Sequence, residues 1–290
     1  MRWAIRWVLW PAAFAGSIVL CLHAIAARWN YGRCYAGWIA GSVMGLTLLE
    51  TAFPFRSDWR MTGRSLLRDF KYAVVAFGTV ALANLLFGWA MIKIAVGGPL
   101  GDSPLWMSVP AALLVYELLN YAQHRLSHRP RGALGWFFWR THAPHHLPEQ
   151  LYVAMQLASH PINGLLVRGV VLLLPLRLLG LSAEAVLLFN VIVTLQALFS
   201  HANLDIRAGL FNYLLVGTEL HRFHHSTETD EALNFGVVLP LWDQVFGTFR
   251  YRPGEAPVQV GVDSPSEYPR SVEFWKGMAY PFLPRAGENA

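Results

Sequence analysis

Ten of the chain's eleven histidines lie between positions 124 and 225, and their spacing is the first feature that could do chemistry. A neutral imidazole is the commonest protein ligand for a metal. His124 and His128 stand four apart, so on a helix they project from one face. One such pair means little, because that spacing arises on many helical surfaces. A duplicated His-x-x-His-His is more demanding, and it occurs as His142-Ala143-Pro144-His145-His146 and as His221-Arg222-Phe223-His224-His225. In each box the first and fourth residues are expected to share a helical face, with the fifth turned toward a second metal. Eight histidines in these three boxes exceed the roughly four ligands of a mononuclear zinc site, which implies two metals. Imidazole suits zinc, copper, iron and nickel alike, so ligand type does not name the metal. Cys21 in an apolar segment and Cys34 in a short turn make neither a disulfide framework nor a thiolate site.

The elements that must position these side chains are transmembrane helices. Hydrophobic residues make up 54% of the 290 and charged residues only 14%, well below the roughly 25% of a soluble domain. Twelve Trp agree, since Trp gathers at lipid–water interfaces. Lipid leaves open backbone polar groups unsatisfied, so the spans must be helical. The expected fold is all-α, a polytopic transmembrane helical bundle with a cytoplasmic histidine-rich metal-binding cap. Apolar stretches fall at 7–27, 35–55, 72–96, 105–121, 151–179 and 183–200. The first, with Arg2 and Arg6 ahead and Ala24-Ile25-Ala26 behind, resembles a signal peptide, but its length suits a span of roughly 30 Å.

Breakers separate the stretches at Gly97-Gly98-Pro99, Asp102-Ser103-Pro104 and Gly180-Leu181-Ser182. Arg168 and Arg177 interrupt the fifth, which is expected to lie partly in the interface or to snorkel. Gly37, Gly41 and Gly45 would let a second helix approach closely. Arg56, Arg60, Arg64, Arg68 and Lys71 cluster between the second and third stretches, whereas 97–103 has no basic residue. That bias makes the clustered side cytoplasmic, and counting crossings puts 124–150 and everything after His201 there too. The net charge of +5 comes from Arg scattered at helix ends, which fits a membrane surface and no nucleic acid. Three regions are expected: N-terminal helices at 1–56, a catalytic domain at 57–250 and a cytoplasmic tail at 251–290, with Trp275 and Phe282 anchoring the tail at the interface.

The ordered set of boxes on a polytopic chain resembles the fatty acid hydroxylase/sterol desaturase superfamily. The likeness runs from about Glu117 to Arg250 and includes Ser200-His201-Ala202-Asn203-Leu204, Asn234-Phe235-Gly236 and Trp242-Asp243-Gln244-Val245-Phe246-Gly247-Thr248. It implies a diiron centre with His124, His128, His142, His145, His146, His201, His221, His224 and His225 as ligands. His160, in Ser159-His160-Pro161, matches a weaker position and is a candidate tenth ligand or a hydrogen-bonding partner of one, alongside Asn234. Asp243 is expected to orient a ligand imidazole through its other ring nitrogen. His23 stands apart as a helix or interface histidine.

The resemblance also implies two iron ions, O2 as co-substrate and a membrane lipid such as a sterol, fatty acyl chain or ether lipid, hydroxylated or desaturated at an unactivated C–H bond. No dinucleotide fingerprint, ferredoxin cysteine spacing or haem domain is visible, so electrons are expected from a separate reductase or small carrier. Its docking surface is expected on the cytoplasmic side around Arg125–Arg140 or the tail. The alternative class is a histidine-rich membrane metal-binding or transport protein, which needs polar residues across the bilayer. Little beyond Thr47, Glu50, Tyr116 and Glu117 lies inside the stretches. A structural zinc cluster would lean on Cys, and a zinc hydrolase on His-Glu-x-x-His, which does not occur.

Overall fold

The computed structural model describes residues 1–93 and 97–283. Six long helical segments follow one another as three antiparallel hairpins, and the described parts of the hairpin connections share one end of the molecule. Amphipathic α1 (Arg2–Trp7) leads into α2 (Leu9–Ala26), which turns back as α3 (Tyr31–Ala52). The second hairpin is α4 (Gly63–Lys93) with α5 (Leu105–Ser127), and the end of the expected 72–96 stretch falls on 94–96, outside the described residues. The third is α7 (Pro161–Leu165), continued by a π turn at Leu166–Leu173 and by α8 (Leu174–Leu179), returning as α9 (Ala183–His201). Five of these helices, α3 being the exception, are apolar and long enough to cross a membrane, so the chain is a multi-pass membrane protein. Among the described residues the sole β feature is one bridge, Ser226 with Val260.

The shared end of the hairpin loops is fixed by contact. Tyr31 hydroxyl donates to Glu184 Oε1 (3.0 Å), and the Leu100 amide to the Leu179 carbonyl (2.9 Å). Gly180 holds φ +71° as the left-handed cap of α8, and a Cβ on Gly98 would sit 2.2 Å from the Leu179 carbonyl carbon, so both positions need glycine. At the opposite end lie the short α6 (Gly132–His146), α10 (Thr218–His224), α11 (Leu241–Val245) and α12 (Phe274–Ala279), which form the cap.

Helix α9 is the hub, with 67% of its apolar window buried against 17–44% for the other candidate spans. Trp10 Nε1 donates to its Gln196 (2.9 Å), while Phe189 meets Tyr116 of α5 edge-on. On α4, by contrast, Leu67, Phe70, Val74, Phe77 and Leu85 are more than half exposed, as a lipid-facing helix requires.

Three expectations change. The 151–179 stretch is not one span: Glu50 accepts from the Val153 amide to hold 153–157 as a tight turn in the cap, and the helix starts at Pro161. Proline fixes φ for a first turn and gives up an amide that has no partner there. The Gly37, Gly41 and Gly45 stripe receives no helix, because a Cβ on any of them would meet nothing within 4 Å. Arg68, one of the basic residues clustered between the second and third stretches, is buried and paired with Asp69 (2.7 Å) and Tyr152 (2.6 Å).

Candidate metal centre

Every box sits where a helix ends at the cap. His124 is in the last turn of α5 and His128 caps it; His142, His145 and His146 close α6; His201 is the last residue of α9; His221 and His224 close α10 and His225 caps it. Four chain segments far apart in sequence thus bring nine imidazoles together. They form two groups: His124, His128, His142, His146 and His224 in one, His145, His201, His221 and His225 in the other. Within each group the candidate donor atoms lie within 4.8 Å of one another.

The split differs from the expected one. In both five-residue boxes the first and fifth histidines share a group and the fourth crosses to the other. At about 100° per residue, positions four apart differ by only about 40° around a helix, whereas positions three apart differ by about 60° the other way. Each box therefore contributes to both groups, and the groups share a wall where His146 stacks on His225, ring centroids 4.3 Å apart.

The nitrogens show what such a group can hold. His124 Nδ1 donates to the Phe235 carbonyl (2.7 Å), His201 Nδ1 to Ala197 (3.0 Å) and His224 Nδ1 to Leu233 (3.1 Å). His145 likewise bonds the Ala158 carbonyl. A carbonyl only accepts, so these rings carry their proton on the outward nitrogen and turn a bare lone pair inward. Yet His145 Nε2 and His201 Nε2 are 3.2 Å apart, and other Nε2 pairs in the two groups stand 3.0–3.1 Å apart. The Nε2 atoms of His128 and His224 have no partner at all. Burial, reinforced by the neighbouring rings, holds His128, His142, His145, His146, His221, His224 and His225 well below the usual histidine range, so added protons do not bridge the gaps. Facing lone pairs at such distances repel unless a cation lies between them, and roughly 3 Å is the edge expected when nitrogens sit about 2.0–2.1 Å from one metal. The donor set fits two metal ions.

Behind the rings, Asp243 accepts from the Phe235 and Gly236 amides (both 2.8 Å) and from Thr248 (2.7 Å). It touches no imidazole; it fixes the irregular segment whose Phe235 carbonyl holds His124, which corrects the expected direct bond. Asn234, at φ +62°, bonds the Leu220 and Arg250 backbone and so locks that segment rather than reaching a metal. His160 lies outside both groups. Its Nδ1 accepts from the Ile162 amide (3.2 Å) as the cap of α7 and its Nε2 donates to Met278 (3.1 Å), leaving no nitrogen for a metal. His23 packs edge-on against Trp29.

Sequence reasoning noticed Glu117 and Glu50 as polar residues among apolar ones without giving them work. Glu117 accepts from the Val237 and Val238 amides (2.6 and 2.9 Å), continuing the clamp that Asp243 begins, and Glu50 accepts from Asn203 beside His201 (3.0 Å). Their signal was a lone carboxylate on a helix near a box, which must find donors wherever it is buried.

Two openings reach the centre. From the cap surface a cleft of about 160 Å³ runs between Pro130, Thr227, Asp263 and Tyr268 to His128, His146 and His224. From the side of the spans a cavity of about 110 Å³ touches both groups.

Residues 109–248 match the fatty acid hydroxylase family. That stretch, a little under half of the chain, is similar to members of the fatty acid hydroxylase/sterol desaturase superfamily. It is 26% identical to the ornithine lipid hydroxylase OlsE of Rhizobium tropici over 270 residues, 89% of this chain and 80% of that one. It is 25% identical to sphinganine C4-monooxygenase 1 of Arabidopsis thaliana over 142 residues, 48% and 52% of the two chains. A very-long-chain aldehyde decarbonylase, GL1-9 of Oryza sativa subsp. indica, is 25% identical over 139 residues, 47% of this chain and 52% of that one. No solved structure matches. The family match and the bundle support a membrane oxidoreductase of the lipid-hydroxylase type, and the two histidine groups could each hold a metal ion.

Proposed function

We propose that the chain is an O2-dependent diiron enzyme that hydroxylates an unactivated C–H bond of a membrane lipid. His124, His128, His142, His146 and His224 hold one iron, and His145, His201, His221 and His225 the other. The observation that carries this reading is the His145–His201 contact, two inward lone pairs 3.2 Å apart in a group that adjoins a second one of the same kind. The relatives named for ornithine lipid and sphinganine oxidation support hydroxylation over desaturation.

Bound iron supplies O2 activation, and the net reaction is R–H + O2 + 2e⁻ + 2H⁺ → R–OH + H2O. The chain's residues do the rest. Outward carbonyls fix the tautomers, Asp243 and Glu117 hold the Leu233–Val238 segment that carries two of those carbonyls, and the cavity beside α5 and α9 keeps the reacting carbon away from water. The two electrons come from a separate reductase or small carrier. The cap faces the cytoplasm, on the side of Arg56, Arg60 and Arg64, where the carrier reaches the cleft at His128. Residues 57–250 are the catalytic unit, with 1–56 as supporting helices and 251–290 as the tail.

Lipid mass spectrometry of cells with and without the gene tests this. A lipid heavier by one oxygen, lost in His145→Ala and His224→Ala proteins that still accumulate in the membrane, is expected. A loss of two hydrogens would make the reaction a desaturation, and an unchanged lipid profile would refute the reading.

A further inference from the structure

The cavity of about 110 Å³ lies just inside the cap between α5, α7 and α9, and imidazoles of both metal groups line it: His124 and His142 from one, His145, His201 and His221 from the other. Val167, Ala197 and Val237 add apolar wall. Apart from His221, whose Nδ1 is also unpartnered, two of its lining side chains have no protein partner for a buried polar atom, Asn120 at Nδ2 and Ser200 at Oγ. Both are deeply buried, at 4% and 2% exposure. Asn120 stands one helical turn before His124, and Ser200 immediately precedes His201, so the helices that deliver the imidazoles also deliver these groups.

Their neighbours are engaged. Gln123 donates to Ser127 (2.9 Å) and Asn163 (3.3 Å), and Asn163 donates to Ser159 (3.2 Å). The orphans are therefore not a general feature of this cavity wall. A buried donor without an acceptor is costly and asks for a reason. An alkyl chain cannot satisfy either group.

Resting on the lipid-hydroxylase reading, we propose that Asn120 and Ser200 bind a hydrogen-bonding oxygen of the substrate, and so select lipids in which a carbonyl, amide, ester or hydroxyl oxygen lies within a few bonds of the carbon oxidised. Distance gives the last step. Asn120 lies one helical turn, roughly 5.4 Å, along the axis from His124, and Ser200 adjoins His201. A substrate oxygen at Asn120 and a reacting carbon at the imidazoles must then belong to one short segment. A methylene deep in an unbroken acyl chain would leave both polar groups bare.

The test uses the iron-loaded full chain in bilayer nanodiscs and compares binding of a long-chain primary amide with that of an n-alkane of the same length. The amide is expected to bind at least roughly tenfold tighter, as a site built to hydrogen-bond rejects an analogue lacking the group. In Asn120→Leu and in Ser200→Ala the gap should shrink below about threefold, with bound iron unchanged. Where product forms, wild type should place the new oxygen at one carbon near the polar group, and Asn120→Leu should scatter it along the chain. Equal binding of amide and alkane by wild type, or a gap that survives both substitutions, overturns the proposal. Because binding is read without turnover, a wild type that prefers the amide yet oxidises no lipid would refute the hydroxylase reading and leave this recognition standing.

Discussion

Asp243 reaches His124 only through the backbone it holds, so its removal separates positioning from ligation. Asp243→Asn turns one charge-assisted acceptor into a donor facing the Phe235 or Gly236 amide. The expected result is a 10- to 100-fold loss of metal affinity confined to one of two sites, as for other groups behind a ligand. Titration of metal-free protein with iron would show it as one weakened and one intact binding step. His160 provides the converse. As a cap and tail anchor, its change to Ala should cost about 1 kcal/mol in thermal or denaturant unfolding and leave iron content unchanged. Loss of iron in that variant would return it to the ligand set. Acid should act through the imidazoles themselves. Their pKa values lie below those of the unfolded chain, near 6.5, so on acidification the unfolded state binds protons first. Stability present at pH 7 to 8 is then lost as pH falls below about 6.5. A melting temperature of the metal-free protein that stays flat from pH 7 to 5 would contradict this.

Helix ends explain how much of the site could be read from sequence. Type and spacing singled out the eight box histidines, because a repeated box leaves few other uses for them, and the family resemblance added His201. The sorting into groups was misjudged, since an alternation read along the chain ignores that residues four apart lie closer around a helix than residues three apart. Span existence was legible from apolar length, but the start of α7 was not. The 151–157 segment is apolar because it packs in the cap core with Trp59 and Val260, not because it meets lipid, and hydropathy cannot tell these two burials apart. Roles for Glu117, Glu50 and Asn120 depended on which loops fold over α5 and α3, information that local pattern does not carry. The crossed arrangement predicts that His224→Ala, in the third box, weakens the same iron as His142→Ala in the second, while His221→Ala weakens the other. Spectroscopic titration of the three proteins distinguishes the pairs.

Across the whole molecule, three hairpins put their described connections at one end and the nine grouped histidines at the other, so a single orientation decides which compartment supplies electrons. A cysteine introduced at exposed Ser266, three residues after the Asp263 that lines the cap cleft, should be labelled by a membrane-impermeant thiol reagent only when the cytoplasmic face is open. Labelling from the outer face of intact cells would invert the orientation. Arg129 and Arg131 are exposed near Pro130 at the mouth of that cleft. Changing both to Glu should slow reduction by an acidic carrier and steepen its loss with charge repulsion, with iron content retained. Unchanged reduction kinetics would move the docking surface elsewhere.

Metal analysis of the purified chain tests the central claim most directly. Two irons per polypeptide are expected in wild type, falling to one in His201→Ala, where only the four-histidine group loses a ligand. A single metal in wild type, or two irons retained without His201, would contradict a paired centre built from these nine imidazoles.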